Sequence, residues 1–341
     1  MDIQAAFLYG QEDIRIEAAM LPPLESHGLI LKVLTCGICG SDSRMYFTGP
    51  TPRYIRPVIL GHELACEVVE VGPEVTDYAV GDRVTVAPII PCMRCPACAR
   101  GLDNLCQHAG VIGCTVHGGL AEYLWAPSQM VLAGGIVKLE PGTNLRAAAL
   151  IELAGCVLHG LGNTGGVQAG DRVLIMGGGP IGLIFTRLTK LMGAGYVAVS
   201  DVQPQRLALA RELGADETFD VRQVDLTARL AQSMDRVVTA TAVVQAAQQA
   251  VELVRPGGHL LLFSGYVYGT RLELDINTVH YRELHLHGTI DCTIRDFRHA
   301  ARLAPQLQLE KLVTHTYPLA ETDAAFRATR REDAVKVVVE P

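Results

Sequence analysis

The sequence predicts an α/β protein in which a β-domain of short strands is joined to a doubly wound parallel sheet. Three observations carry that prediction. From Met1 to about Glu152 the chain reads as short strands punctuated by Gly and Pro, among them Ala5–Tyr9, Gly28–Leu34, Ala65–Gly72 and Gly81–Val86, the pattern of a closed or folded β-domain. Between about Leu153 and Gly288 strand candidates alternate with helices, which means parallel pairing. At the head of that second region, Val173–Met176 runs into Gly177-Gly178-Gly179-Pro180-Ile181-Gly182, a strand, a glycine turn and a helix start.

The glycine turn comes first because it organises the second region. Ile181, Ile184, Phe185, Leu188, Leu191 and Met192 follow at helical spacing. Gly177 permits the tight turn, Gly179 lets a pyrophosphate approach the backbone, and Gly182 lets the helix pack on the strand. Pro180 and Ile181 open the helix, whose N-terminal N–H groups and dipole suit phosphate. A second strand, Tyr196–Ser200, delivers Asp201 about twenty residues after the glycines, where a carboxylate accepts hydrogen bonds from a ribose diol. Glycines alone usually do no more than close a turn; strand, helix and terminal acid together point to a dinucleotide. No Gly-Lys-Ser/Thr follows, which excludes a Walker-type loop. Asp201 favours NAD over NADP, and Arg206 is the nearest cation.

Further on come the strand Asp235–Ala240, a helix through Val243–Val254, the turn Pro256-Gly257-Gly258, and strands His259–Ser264 and Leu284–His287. The tail, Phe297–Ala304 then Val335–Val339, reads as one helix and one strand returning to the first domain.

Composition sets the bounds. A chain of 341 residues suggests two domains, and with 49% hydrophobic and 19% charged residues it can bury a sizeable core. The net charge of -7 and the lack of a basic run argue against nucleic acid. The start, Met1-Asp2-Ile3-Gln4-Ala5, has no leader pattern and no window approaches a membrane span, so a cytoplasmic protein without a membrane partner is expected. Ten cysteines without a secretion signal read as metal ligands or reduced thiols.

Cys92-x-x-Cys95-x-x-Cys98-x7-Cys106 places four thiols on one loop. Such spacing wraps a tetrahedral zinc, and four sulfurs leave no open position, so the metal is structural. An iron–sulfur cluster is the rival use. A second set is dispersed: Cys36 to Asp42, Gly61-His62-Glu63, and Ile151-Glu152. Spacing alone says little about it.

Over essentially its full length the chain resembles the zinc-containing medium-chain alcohol/polyol dehydrogenases. The resemblance rests on CGICGSD at 36–42, GHE at 61–63, the four-cysteine loop at 92–106 and GGGPIG at 177–182, in that order. It implies a GroES-like catalytic domain over 1–153, a Rossmann NAD-binding domain over 154–289 and a return to the catalytic domain over 290–341. It also implies two zinc ions per chain and a homodimer or homotetramer. By motif position Cys39, His62 and Glu152 would hold the catalytic zinc, with Cys36 a packed thiol and Cys156 the runner-up ligand. Glu152 points to the sorbitol and polyol branch, which has no cysteine there. Glu63 would complete the zinc shell or exchange with water and substrate. Such a zinc acts as a Lewis acid, lowering the pKa of a bound water or alcohol from about 16 towards about 7, and hydride then passes to the nicotinamide. Asp42 would fix the His62 tautomer, Ser41 would take the alcohol proton, and Ile290 joins Asp201 and Arg206 among the cofactor contacts. A turn-capping Ser and Asp is the plainer reading of Ser41 and Asp42.

Two positions depart from the family. Where many relatives carry a relay histidine stands Arg44, which cannot shuttle a proton at neutral pH. The relay then ends in water at Ser41 or passes through the ribose. Arg44 either joins Arg53 and Arg56 on an anionic substrate group, or is solvated or on a cofactor phosphate. Asp291 falls where polyol dehydrogenases often have arginine, so hydroxyl recognition differs. The remaining histidines, His259, His285 and His287 among them, have no ligand spacing with a cysteine or acid, and Trp125 and Tyr46 read as cleft or core. The expected activity is hydride transfer from a secondary alcohol of a polyol, sugar or cyclitol to NAD. Threonine-type and sugar-phosphate dehydrogenases are the enzymatic rivals, and a non-catalytic zinc- and nucleotide-binding protein the third.

Overall fold

A computed structural model describes residues Met1–Pro341. The chain divides into two compact units, Met1–Gly155 with Cys292–Pro341, and Cys156–Asp291. Boundaries expected after 153 and 289 thus lie two residues further on. The first falls inside the continuous helix Ile151–Asn163, where no linker could mark it.

The first unit is built on mainly antiparallel sheets. Its largest runs in the order Ile136–Lys138, Arg83–Val86, Glu63–Val71, Leu29–Gly37, Lys336–Glu340, Val313–Pro318, with Tyr123–Ala126 also paired to Leu29–Gly37. A smaller one sets Asp2–Gly10 between Asp13–Met20 and Val58–Ile59. Leu8, Leu29, Leu31, Leu64 and Leu124 are buried in the common core, each contributing about 1.5–3 kcal/mol of transfer free energy. Tyr46 is core rather than cleft: its ring stacks on Phe326 at 4.7 Å and its hydroxyl donates to Asp323. Trp125 donates its indole N–H to the Pro23 carbonyl at 3.3 Å.

The tail holds more than one helix and one strand. After helix Ile294–Leu307, strands Val313–Pro318 and Lys336–Glu340 pair in parallel, and helix Thr322–Ala328 lies between them in sequence. The extra strand alternates half-buried and exposed residues and is rich in Thr and His, so it lacks the apolar signal of a central strand. The edge strand Asp13–Met20 has no buried residue and is silent for the same reason.

The second unit is a six-stranded parallel sheet. Numbered by their order in the chain, the strands lie third-second-first-fourth-fifth-sixth: Glu217–Asp220, Tyr196–Asp201, Arg172–Met176, Met234–Thr239, Val254–Leu262, His285–Gly288. This is the doubly wound order, with its switch point between Arg172–Met176 and Met234–Thr239. Val173–Ile175 and Val197–Val199 are wholly buried, as continuous apolar runs covered on both faces should be. Helix Pro180–Leu191 buries Leu183, Ile184, Phe185 and Leu188 on this sheet, and Phe185 meets Phe263 edge-on at 5.1 Å.

Candidate active site

The glycine turn lies at the switch point of the second unit. Gly177 has φ +111°, and a Cβ there would stand 2.8 Å from the Ala240 carbonyl; a Cβ on Gly182 would meet the Gly177 carbonyl at 1.8 Å. Only glycine fits either place. Around Gly179 nothing lies within 4 Å of the missing Cβ, so the backbone at the helix N-terminus is open to a phosphate. Asp201 Oδ2 accepts the Gly178 N–H at 2.6 Å, while Oδ1 accepts from Val202 and Gln203 at 2.8 Å each. The strand thereby presents its terminal carboxylate in one fixed orientation. It borders a cavity of about 520 Å³ together with Gly177, Arg206, Thr241 and Val243. Pro180 is the first helical residue, and Ile290 is half exposed at 52%.

In the first unit Cys39, Asp42 and His62 come together. Cys39 is the N-cap of helix Gly40–Thr48, so its sulfur sits at the positive end of that helix. Asp42, buried in the first turn, accepts the Cys39 backbone N–H on Oδ2 at 3.1 Å and faces His62 Nδ1 with Oδ1 at 3.3 Å. Asp42 thus does two tasks at once, capping the turn and orienting the imidazole. Burial opposes a charged His62, yet the Asp42 carboxylate and the Cys39 sulfur hold its titration well above the ordinary imidazole range. A pocket that draws a proton this strongly also suits a divalent cation held by thiolate and imidazole. Ser41 is half-buried beside this group. Arg44, Arg53 and Arg56 are exposed, and Arg56 Nη2 donates to the Pro50 carbonyl.

Glu63 follows His62 into a strand, and its carboxylate is fully buried. Both oxygens lie on Lys336 Nζ, at 2.6 and 2.5 Å, and the same ammonium donates to the Ile38 carbonyl at 2.9 Å. Gly37 makes this possible, because a Cβ there would stand 2.0 Å from Glu63 Oε2. Burial works to discharge Lys336, but the Glu63 carboxylate, and after it the Cys39 sulfur, keep the ammonium above the usual lysine range. Sequence reasoning missed Lys336. Its one signal was a lysine opening the apolar run Lys336-Val337-Val338-Val339. Tyr54 was missed too; it lies within electrostatic reach of Cys114, Asp42 and His62, and burial pushes its phenol up to about 12.

Glu152 is buried at the start of helix Ile151–Asn163, and its ligand atom lies within 4.8 Å of the Cys292 sulfur. Cys292, which the sequence reading did not single out, closes on that helix where Gly155 leaves room. Cys156 follows one turn after Glu152 and is also buried.

The four loop cysteines gather their sulfurs within 4.8 Å of one another. Cys95 caps the short helix Pro96–Ala99, and the turn Asp103–Leu105 returns the chain to Cys106. Cys95 and Cys98 sulfurs are 3.5 Å apart, and the Cys92 N–H donates to Cys106 Sγ at 3.3 Å. Backbone N–H groups, that of Cys98 foremost, pull the Cys95 thiol down to about 6, while desolvation and then its sulfur neighbours push Cys98 up to about 12. Sulfurs so close cannot all ionise unless a cation sits among them, and a tetrahedral zinc fits that demand. Asp103 ties the loop to the return segment by accepting the Ile294 N–H at 2.7 Å.

Comparison with known proteins identifies the family. Residues 25–138 match the alcohol dehydrogenase GroES-like domain family, and residues 180–306 the zinc-binding dehydrogenase family. The chain is similar to a sorbitol dehydrogenase of Bacillus subtilis (strain 168), 32% identical over 100% of this chain and 98% of the relative. It is also similar to a D-arabitol-phosphate dehydrogenase of Enterococcus avium, 31% identical over 94% of this chain and 92% of the relative. Among solved structures, a zinc-binding dehydrogenase from Sinorhizobium meliloti 1021 bound to NADP superimposes with a TM-score of 0.93 at 30% identity, covering 100% of both chains. The chain belongs to the zinc-dependent medium-chain dehydrogenases, in their sorbitol dehydrogenase-like branch. It is therefore a dehydrogenase that uses zinc and a nicotinamide cofactor. No helix is long and apolar enough to cross a membrane.

Proposed function

We propose that this enzyme oxidises a secondary alcohol of a polyol, sugar or cyclitol and passes the hydride to NAD, with two zinc ions per chain. The observation that carries the reading is the Cys39–Asp42–His62 constellation, a donor set already oriented and already cation-seeking. Cys39, His62 and Glu152 would hold the catalytic zinc, with Glu63 as an exchangeable fourth ligand, and Cys92, Cys95, Cys98 and Cys106 the structural one. When bound, the zinc supplies Lewis acidity toward the alcohol oxygen and the nicotinamide accepts the hydride.

The residues themselves do the rest. Asp42 takes the His62 Nδ1 proton as a hydrogen bond and so leaves the other ring nitrogen free as a ligand. Ser41 receives the substrate hydroxyl proton and hands it on to water, since Arg44 cannot. Lys336 neutralises Glu63 in its resting position, so that moving the carboxylate toward a ligand position means giving up this ion pair. Asp201 accepts the ribose hydroxyls and disfavours a 2′-phosphate; because the S. meliloti relative was solved with NADP, Arg206 at the same cavity is the residue to watch. Ten free cysteines suit a reducing, cytoplasmic location, and a homodimer or homotetramer is the proposed assembly.

The test is reduction of NAD across a panel of polyols, inositols, sugar phosphates, threonine and simple alcohols, repeated after dialysis against a zinc chelator. Chelator-sensitive turnover of a vicinal diol supports the reading; a preference for phosphate esters would move it to a sugar phosphate. Exposed Arg44, Arg53 and Arg56, together with the arabitol-phosphate relative, favour that second reading.

A further inference from the structure

Three histidines without ligand spacing in the sequence stand side by side at the edge of the parallel sheet. Strand His285–Gly288 is the sheet's last, and it pairs in register with Val254–Leu262: His259 opposite His285, Leu261 opposite His287. Residues two apart on a strand share a face, so all three imidazoles project together. The His259 and His285 rings lie 4.7 Å apart at 15°, those of His259 and His287 5.2 Å apart at 22°, and His259 Nδ1 stands 3.0 Å from His287 Nε2.

The surroundings prepare these rings as ligands. His259 Nδ1 and His287 Nε2 face each other and share one proton, so one of the two nitrogens already offers a lone pair across the gap. The neighbouring cation, Arg236, is directly opposite His259 in register. It is already spent on Asp171 at 2.7 Å and on the Thr164 carbonyl and hydroxyl at 2.8 and 3.0 Å. Burial first, then Arg236 and the other two rings, drop His259 to about 4, and burial holds His287 below the usual range. His285 is exposed and the other two half-buried, so an ion has access.

We propose that His259 and His287, with His285 at the rim, form a third metal site, for a divalent ion of the nickel or copper class, that staples the last two strands of the sheet. Two nitrogens 3.0 Å apart, each at a metal–nitrogen distance of about 2.0–2.1 Å, subtend roughly 91–97° at the ion. That is the cis angle of tetragonal or octahedral nitrogen sites, which Ni(II) and Cu(II) prefer, and it is narrower than the tetrahedral angle of zinc. On binding, the proton shared between the rings moves to the far nitrogen of the ring that carries it, which stays neutral, and both facing nitrogens are then free to ligate.

The test uses the untagged, zinc-loaded enzyme dialysed against micromolar Ni(II) in buffer without chelating groups, with nickel and zinc counted by elemental analysis and Tm recorded. The expected result is a nickel ion per chain above the full zinc complement and a raised Tm. Both effects should vanish in His287→Asn and weaken in the surface variant His285→Asn, with NAD-linked turnover unchanged in each. Equal nickel uptake in wild type and the two variants overturns the proposal, as does nickel gained only at the expense of zinc. Should His287→Asn fold poorly, the Cu(II) electron paramagnetic resonance spectrum of the wild type decides: nitrogen hyperfine structure supports the site, and its absence removes it.

Discussion

The four-cysteine loop and the Cys39–His62 centre each gather groups able to ligate a metal, on opposite plans. In the loop every ligand lies within one short stretch, and a turn of helix and a backbone N–H suffice to gather the sulfurs. At the second centre a helix cap supplies Cys39, strand ends supply His62 and Glu63, and the return segment supplies Lys336, 273 residues away from Glu63. The lesson is that a cluster of like donors can be closed locally, whereas a group of unlike donors drawn from distant segments must be held by the whole fold.

That contrast can be broken most forcefully at the ligands. Cys39→Ser should lower turnover on the order of 10³-fold or more while NADH binding, measured by fluorescence titration, stays nearly intact and Tm hardly moves. Cys95→Ser should do the reverse, costing stability and a zinc ion with turnover per remaining catalytic zinc largely kept. If both variants lose activity and stability alike, the two centres are not separable and the comparison fails.

Next in size is Lys336→Met, which leaves a buried Glu63 carboxylate without its partner. Denaturant unfolding should register a loss of about 3–5 kcal/mol, largely recovered by Lys336→Arg. An unchanged midpoint for Lys336→Met would mean that Glu63 is held by something else. Asp42→Asn keeps a polar group of the same shape but loses the charge facing His62; metal affinity or turnover should fall about 10–100-fold. A wild-type zinc affinity and rate would leave Asp42 only its capping role.

The smallest effect belongs to the cofactor site. Asp201→Ala removes a charged acceptor worth about 1.5–3 kcal/mol, so the NAD to NADP ratio of kcat/KM should fall about 10–100-fold. A constant ratio would remove Asp201 from the ribose site and turn attention to Arg206.

Legibility in the sequence followed the same line. The turn from Val173 through Gly182 to Asp201 was readable because strand, turn and helix impose their periods on consecutive residues. The cysteine loop was readable because its spacing is its geometry. His62 and Glu63 were readable only through family resemblance, and nothing in either reading assigned Glu63 to Lys336 or set Cys292 beside Glu152. His259, His285 and His287 looked unrelated until strand register aligned them.

By itself, then, the sequence determined the α/β class, the glycine cradle with its terminal acid and the clustered cysteines, all features whose partners are separated by a turn or a strand. Only the tertiary structure decided which carboxylate meets which ammonium, which thiol closes on Glu152 and which imidazoles face one another. Those choices depend on sheet register and core packing summed over hundreds of residues, and no local pattern records that sum.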